Sequence, residues 1–145
     1  MRCRDVMKTD VARCLETLSV QACAEMMRDN GIGFVPVVDA DRQVVGVVTD
    51  RDLALRVLAN DLPADTPVGQ VMTGDVRTCR PDDELREAER KMSSARKSRL
   101  VVADENGHCV GVISLSDVAQ ADRRRAGGVL RAVTRREAPA QVVLS

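Results

Sequence analysis

Shifted by 65 residues and laid against itself without a gap, the chain repeats its own pattern. Val6-Met7 falls on Val71-Met72, Asp10-Val11 on Asp75-Val76, Cys14 on Cys79, Met27 on Met92 and Val37 on Val102. Asp39 meets Asp104, Val45-Gly46-Val47 meets Val110-Gly111-Val112, and Asp52 meets Asp117. A single offset held this far marks an internal duplication, so the fold must be built from two like units.

Each copy has the same order of elements. A short extended piece (11–14 and 76–79) leads into a helix, for which Thr17 and Asp82 are the expected N-caps. Val20, Cys23 and Met27 form an i, i+3, i+7 apolar stripe, and Leu85, Ala88 and Met92 repeat it. Gly31 suits the end of the first helix. Strands follow at 34–38 and 44–48, then at 100–103 and 109–114, the second pair joined by the tight-turn dipeptide Asn106-Gly107. A second helix starts near Asp50 and near Leu115. The order is β-α-β-β-α, twice. One strand pair and two helices cannot bury a sheet alone. The sequence therefore predicts an α/β fold of two pseudo-twofold-related repeats packed sheet to sheet. Residues 1–60 form the first repeat, 61–70 a Pro-rich linker, 71–122 the second repeat and 123–145 a basic C-terminal tail.

The core of such a chain is aliphatic, because Trp and Tyr are absent and Phe34 is the one aromatic residue. A planar ligand would have to lie against Val, Ile, Leu and Met. Lys plus Arg equals Asp plus Glu, 22 each, so the whole molecule has no field to recruit nucleic acid or an anionic membrane. No apolar run approaches the roughly 20 residues of a spanning helix, and MRCRDVMKTD lacks the apolar segment of a signal peptide. A cytoplasmic protein is expected. The five cysteines contain no CxxC pair, and alternation along a strand sends His108 and Cys109 to opposite faces. Buried reduced thiols are expected, not a metal site.

The chemistry concentrates where an apolar strand runs out into a helix, at Thr49-x-x-Asp52 and at Ser114-x-Ser116-Asp117. The first helical N–H groups there lack intrahelical partners and favour an anion such as phosphate. A carboxylate one turn further on can accept hydrogen bonds from the two neighbouring hydroxyls of a ribose. Hydroxyls beside a diol-reading carboxylate describe a nucleotide site. The same spacing also describes a plain helix cap, and a duplicated cap would recur just as a duplicated site would.

The repeated β-α-β-β-α units, the Val-Met lead-in, the Gly-x-x-[Ser/Thr]-x-x-Asp ending and the VPVVD strand (35–39) resemble a pair of cystathionine-β-synthase-type (CBS) domains, a Bateman module, over about residues 4–121. The resemblance implies a stand-alone regulatory module of the bacterial type, binding AMP, ADP, ATP or S-adenosylmethionine in the cleft between repeats and signalling to an effector protein. It implies that Asp52 and Asp117 hold the ribose, with Thr49, Ser114 and Ser116 near ribose or phosphate and Arg99 reaching a phosphate. Val11-Ala12 and Val76-Arg77 would line the adenine slot on the entry strands, which Met7 and Met72 would close from the opposite repeat. Arg51 would offset the charge of Asp50. The copies differ here: Asp50 and Arg51 stand where the second has Leu115 and Ser116, and Phe34 where it has Arg99. The Arg99/Ser114/Ser116/Asp117 site is therefore expected to favour phosphorylated adenosine.

An enzyme is not favoured: His108 reads as a loop residue, no nucleophile stands beside a base, and no cofactor is required. Nucleic-acid binding would rest on Arg123–Arg125 and Arg135-Arg136 alone, which also suit a basic helix end. A ligand-free dimeric scaffold is the third reading. In DRDLALRVLA (50–59), Leu53, Val57 and Leu58 exceed what one sheet needs, and CBS pairs commonly form flat homodimers.

Overall fold

The duplication emerges as two three-stranded sheets, each with its own aliphatic core, in a computed structural model that describes Met1–Ala121. The basic tail lies outside the described residues. Two compact units result. One contains Asp10–Val76 together with Ala103–Cys109; the other contains Met1–Thr9, Arg77–Val102 and the described residues from Val110 to Ala121.

In the first of these units, β1 (Cys14–Leu15) pairs in parallel with β2 (Phe34–Val38), and β2 pairs antiparallel with β3 (Val44–Thr49). The parallel step needs a crossover, supplied by α1 (Val20–Asn30). The predicted stripe is its buried face: Val20, Cys23 and Met27 pack on Val35, Val37 and Val48. Gly31 closes α1 with φ of 63°, as the sequence predicts. The N-cap is Ser19, not Thr17: its Oγ accepts from Ala22 N at 3.1 Å. Thr17 falls in the turn between β1 and α1. Beyond β3 the helix begins as one α-turn, α2 (Asp50–Asp52), and widens to π geometry over Leu53–Leu58. The linker is a packed segment: it ends in a 3₁₀ turn at Val68–Gln70, Val68 is fully buried, and Pro67 bridges to Ser19.

The other unit repeats the plan with β4 (Thr78–Cys79), α3 (Leu85–Ala95), β5 (Arg99–Ala103), β6 (Cys109–Ser114) and α4 (Leu115–Ala121). Leu85, Ala88 and Met92 bury against Leu100, Val102 and Ile113. Glu84, not Asp82, holds the N-cap position of α3, and it makes no side-chain cap bond. The parallel pairings Cys14↔Val37 and Cys79↔Val102 are the same pairing shifted by the sequence offset. Both entry strands are shorter than the sequence suggests. Val11, Ala12, Val76 and Arg77 precede them and take no part in the ladders.

Two left-handed positions show how the copies have diverged. α1 ends on Gly31 but α3 ends on Arg96, at φ of 53°. The β5–β6 turn uses Gly107 (φ 80°), whereas Arg42 occupies the matching place between β2 and β3 at φ of 65°. Both turns are pinned alike: Asp39 Oδ1 accepts from the Asp41 and Gln43 amides, and Asp104 Oδ1 from those of Asn106 and His108, all at 2.9 Å.

Each Val-Met lead-in is seated in the unit built mainly from the other copy. Thr73 exchanges two backbone hydrogen bonds with Val47 on β3, and Lys8 does the same with Val112 on β6. Such close approach requires glycine on the strand. A Cβ at Gly46 would meet Met72 Sδ at 2.5 Å, and one at Gly111 would meet the Lys8 carbonyl oxygen at 2.8 Å. The repeated Val-Met and Val-Gly-Val motifs are thus two halves of one contact.

Candidate functional site

Both strand-to-helix junctions are closed by reciprocal capping bonds. At the end of β3 the Asp52 amide donates to Thr49 Oγ1 at 3.1 Å, and the Thr49 amide donates to Asp52 Oδ2 at 3.0 Å. At the end of β6 the Asp117 amide donates to Ser114 Oγ at 3.2 Å and the Ser114 amide to Asp117 Oδ2 at 2.9 Å. The cap reading of the motif is therefore correct as local structure. It accounts for only one oxygen of each carboxylate.

The second oxygen of each carboxylate faces a cation. Asp52 Oδ1 lies 3.8 Å from Arg56 Nε, one turn along the same helix. Arg56 is also anchored elsewhere, its Nη1 donating to the Val71 carbonyl at 2.9 Å. Asp117 Oδ1 lies 3.7 Å from Lys8 Nζ, which comes from the lead-in strand. The Asp117 side chain is 9% exposed and that of Lys8 is 73% exposed. Ser116 adds a hydroxyl to this junction, its Oγ 2.8 Å from Ser114 Oγ.

Of the residues singled out from sequence, the structure joins Thr49 directly to Asp52, and Ser114 directly to Ser116 and Asp117. Arg51 and Arg99 are exposed, and among the described residues neither guanidinium pairs with these carboxylates. The Asp50 carboxylate accepts from the Arg51 amide at 2.8 Å and lies over Gly33. Val11, Ala12 and Val76 are half-buried in the unit that holds Asp52, and Arg77 is exposed in the unit that holds Asp117. Met72 lies with the Asp52 junction and Met7 with the Asp117 junction.

Sequence reasoning missed Lys8 and Arg56. The signal was present at the same offset: Lys8 aligns with Thr73 and Arg56 with Ala121. Each copy keeps the carboxylate but takes its cation from a different element.

The five cysteines are buried, and none is in a disulfide. Cys14 hydrogen-bonds Cys23 and Cys79 hydrogen-bonds Cys3; that bond and burial both push the Cys14 and Cys79 thiols up, away from thiolate. Among the described residues no cluster of ligating side chains could hold a metal, and no helix is long and apolar enough to cross a membrane. An apolar groove of about 380 Å³ runs between α1 and the π segment, with Val20, Ala24, Leu53, Val57 and Leu58 in its wall. Asp52 is not part of that wall.

A family model described as the CBS domain matches residues 3–59 and again 68–124. CBS domain-containing protein YhcV of Bacillus subtilis is 33% identical over 129 residues, 88% of this chain and 91% of its own. A homoserine O-acetyltransferase of Methanosalsum zhilinae is 35% identical over 114 residues, but the match takes in 79% of this chain and only 22% of that protein. Among solved structures, the CBS domain pair of protein MJ0100, in complex with 5′-methylthioadenosine and S-adenosyl-L-methionine, superposes with a TM-score of 0.74. That pair is 23% identical, over 83% of this chain and 94% of its own.

Proposed function

The chain belongs to the CBS domain family, with two copies in tandem, and from that premise we propose that it is a regulatory module for adenosine-containing ligands. The observation that carries the reading is the half-used carboxylate. In both copies one Asp oxygen builds the cap, while among the described residues the other is held by an ion pair longer than 3.5 Å. A ribose diol offers two neighbouring donors to such an oxygen and leaves the cap intact. The adenosine compounds bound by the MJ0100 pair support the ligand class.

In this reading Asp52 and Asp117 hold ribose, with Thr49, Ser114 and Ser116 beside the ribose or phosphate. Val11, Ala12, Val76 and Arg77 line the adenine side, and Arg51 and Arg99 contribute charge. The two sites are unequal. Asp117 faces Lys8, and the second copy carries Arg99 and no second carboxylate at the matching positions; Asp52 faces Arg56, and Asp50 offsets the charge of Arg51 next to it in sequence. Phosphorylated adenosine therefore binds more tightly at Asp117. The acetyltransferase name does not transfer, because the matched segment is about a fifth of that protein; the module itself is non-catalytic. Ligand binding changes the balance of conformations presented to an effector protein, which requires the ligand to bind one conformation better than another.

Calorimetric titration with AMP, of the native chain and of Asp52→Ala and Asp117→Ala, tests this reading. The larger loss is expected for Asp117→Ala, and equal losses would contradict the inequality of the sites. A second reading, homodimeric association, is favoured by Leu58 at 80% and Leu55 at 51% exposure beside the apolar groove. It is compatible with ligand binding.

A further inference from the structure

The two junctions are built alike in their capping bonds and differ in the cation on the second carboxylate oxygen. Arg56 is a fixed counter-ion, bound at once to Asp52 and to the Val71 carbonyl. Turning it towards a ligand would leave that carbonyl without its donor. Lys8 is different. Its backbone is locked to β6 by two 3.0 Å hydrogen bonds with Val112, while among the described residues its ammonium, on a largely exposed side chain, pairs with Asp117 alone, at 3.7 Å. Its position is set and its charge is free to be re-used. Thr73, the matching residue of the other junction, cannot supply such a charge.

We propose that Lys8 determines the ligand selectivity of the Asp117 junction, its ammonium passing from the Asp117 carboxylate to a ligand phosphate when that carboxylate takes up a ribose diol. The inference rests on the ribose reading given above. A neutral nucleoside displaces the ammonium from Asp117 and offers it nothing in return. A phosphorylated nucleoside restores an anionic partner within reach of the same side chain. A cationic ligand, such as a sulfonium, meets Lys8 as a like charge. Loss of one solvent-exposed pair of this kind changes affinity by up to about fivefold. Lys, with a compact ammonium on a flexible stem, suits such an exchange better than a planar guanidinium fixed by two partners.

The test is calorimetric titration of the whole chain with adenosine and with AMP, comparing native protein, Lys8→Thr, Lys8→Arg and Asp117→Asn. Lys8→Thr installs the residue of the other copy at an exposed position, and its melting temperature should match that of the native chain. The preference for AMP over adenosine at the tighter site should fall about fivefold in Lys8→Thr, through weaker AMP binding with adenosine affinity held or raised. Lys8→Arg should keep most of the preference. A Lys8→Thr chain with an unchanged AMP-to-adenosine ratio, while Asp117→Asn loses the tighter binding of both ligands, overturns the role of Lys8 and leaves the ribose reading standing. Native affinity retained in Asp117→Asn, or no binding by the native chain, overturns the ribose reading and the inference with it.

Discussion

Replacing Gly46 by Ala tests how the lead-in of one copy is seated on a strand of the other. The added methyl would stand 2.5 Å from Met72 Sδ and 2.9 Å from the Thr73 carbonyl oxygen. The sulfur lies towards the end of a flexible side chain and can turn away. The carbonyl cannot, because Thr73 and Val47 are tied by two backbone hydrogen bonds, of 2.8 and 3.0 Å. Overpacking that moves backbone costs about 1–3 kcal/mol. At about 2 kcal/mol, a chain of this size should melt roughly 6–8 °C lower, as read by far-ultraviolet circular dichroism. Gly111→Ala is the matched case, with the Lys8 carbonyl oxygen at 2.8 Å and Met7 Sδ at 2.9 Å, and should lose a similar amount. A double-mutant cycle of Gly46→Ala with Met72→Ala should show partial rescue only, since the shorter side chain removes the sulfur and leaves the carbonyl. Melting of Gly46→Ala within about 1 °C of the native chain would refute the reasoning.

Other expectations follow from the same geometry. Arg42→Gly places at the first hairpin the residue that the second already uses, removes a left-handed Arg at φ of 65°, and should stabilise by about 0.5–1 kcal/mol in thermal or urea unfolding. A loss of stability would mean that Arg42 makes a compensating contact. The five buried thiols should react with Ellman's reagent only on unfolding; rapid labelling of the folded chain would contradict their burial. Leu58→Asp, placed on the apolar surface beside the groove, should convert a dimer to a monomer in multi-angle light scattering. A native monomer would remove the association reading.

The elements that were legible in the sequence are those whose signal is local. The stripes Val20/Cys23/Met27 and Leu85/Ala88/Met92, the Gly31 terminus and the β6 boundaries all lie where period and turn chemistry place them. The N-cap lies two residues beyond the expected position in each copy, because Thr17, Ser19, Asp82 and Asp83 all carry capping chemistry and only packing chooses the start. Arg42 and Arg96 carry no sequence signal of their left-handed conformation, which is imposed by the pinned Asp39 turn and by the end of α3, with no glycine to mark it. The widening of the helix after Asp52 has no sequence period of its own; it is a change of hydrogen-bond partner, as in Ala59 N to Ala54 O.

At the junctions, the sequence pointed to the carboxylates and the hydroxyls but not to the cations. Thr49 and Asp52 are three residues apart, and a capping box is a local rule. Lys8 and Asp117 are separated by most of the chain, and only the pairing of the lead-in with β6 brings them to 3.7 Å. The duplication does not mark these cations either, since Lys8 aligns with Thr73 and Arg56 with Ala121, and neither charge recurs in the other copy.

In the proposed function the repeated carboxylate is a ribose site as well as a cap. Calorimetric titration of the native chain with AMP and with S-adenosylmethionine, beside an Asp117→Ala chain shown by its melt to be folded, tests it most directly. The account predicts saturable AMP binding by the native protein, sharply weakened in Asp117→Ala. Heats indistinguishable from dilution with both ligands, or AMP bound equally well without Asp117, would reduce the junctions to helix caps and contradict it.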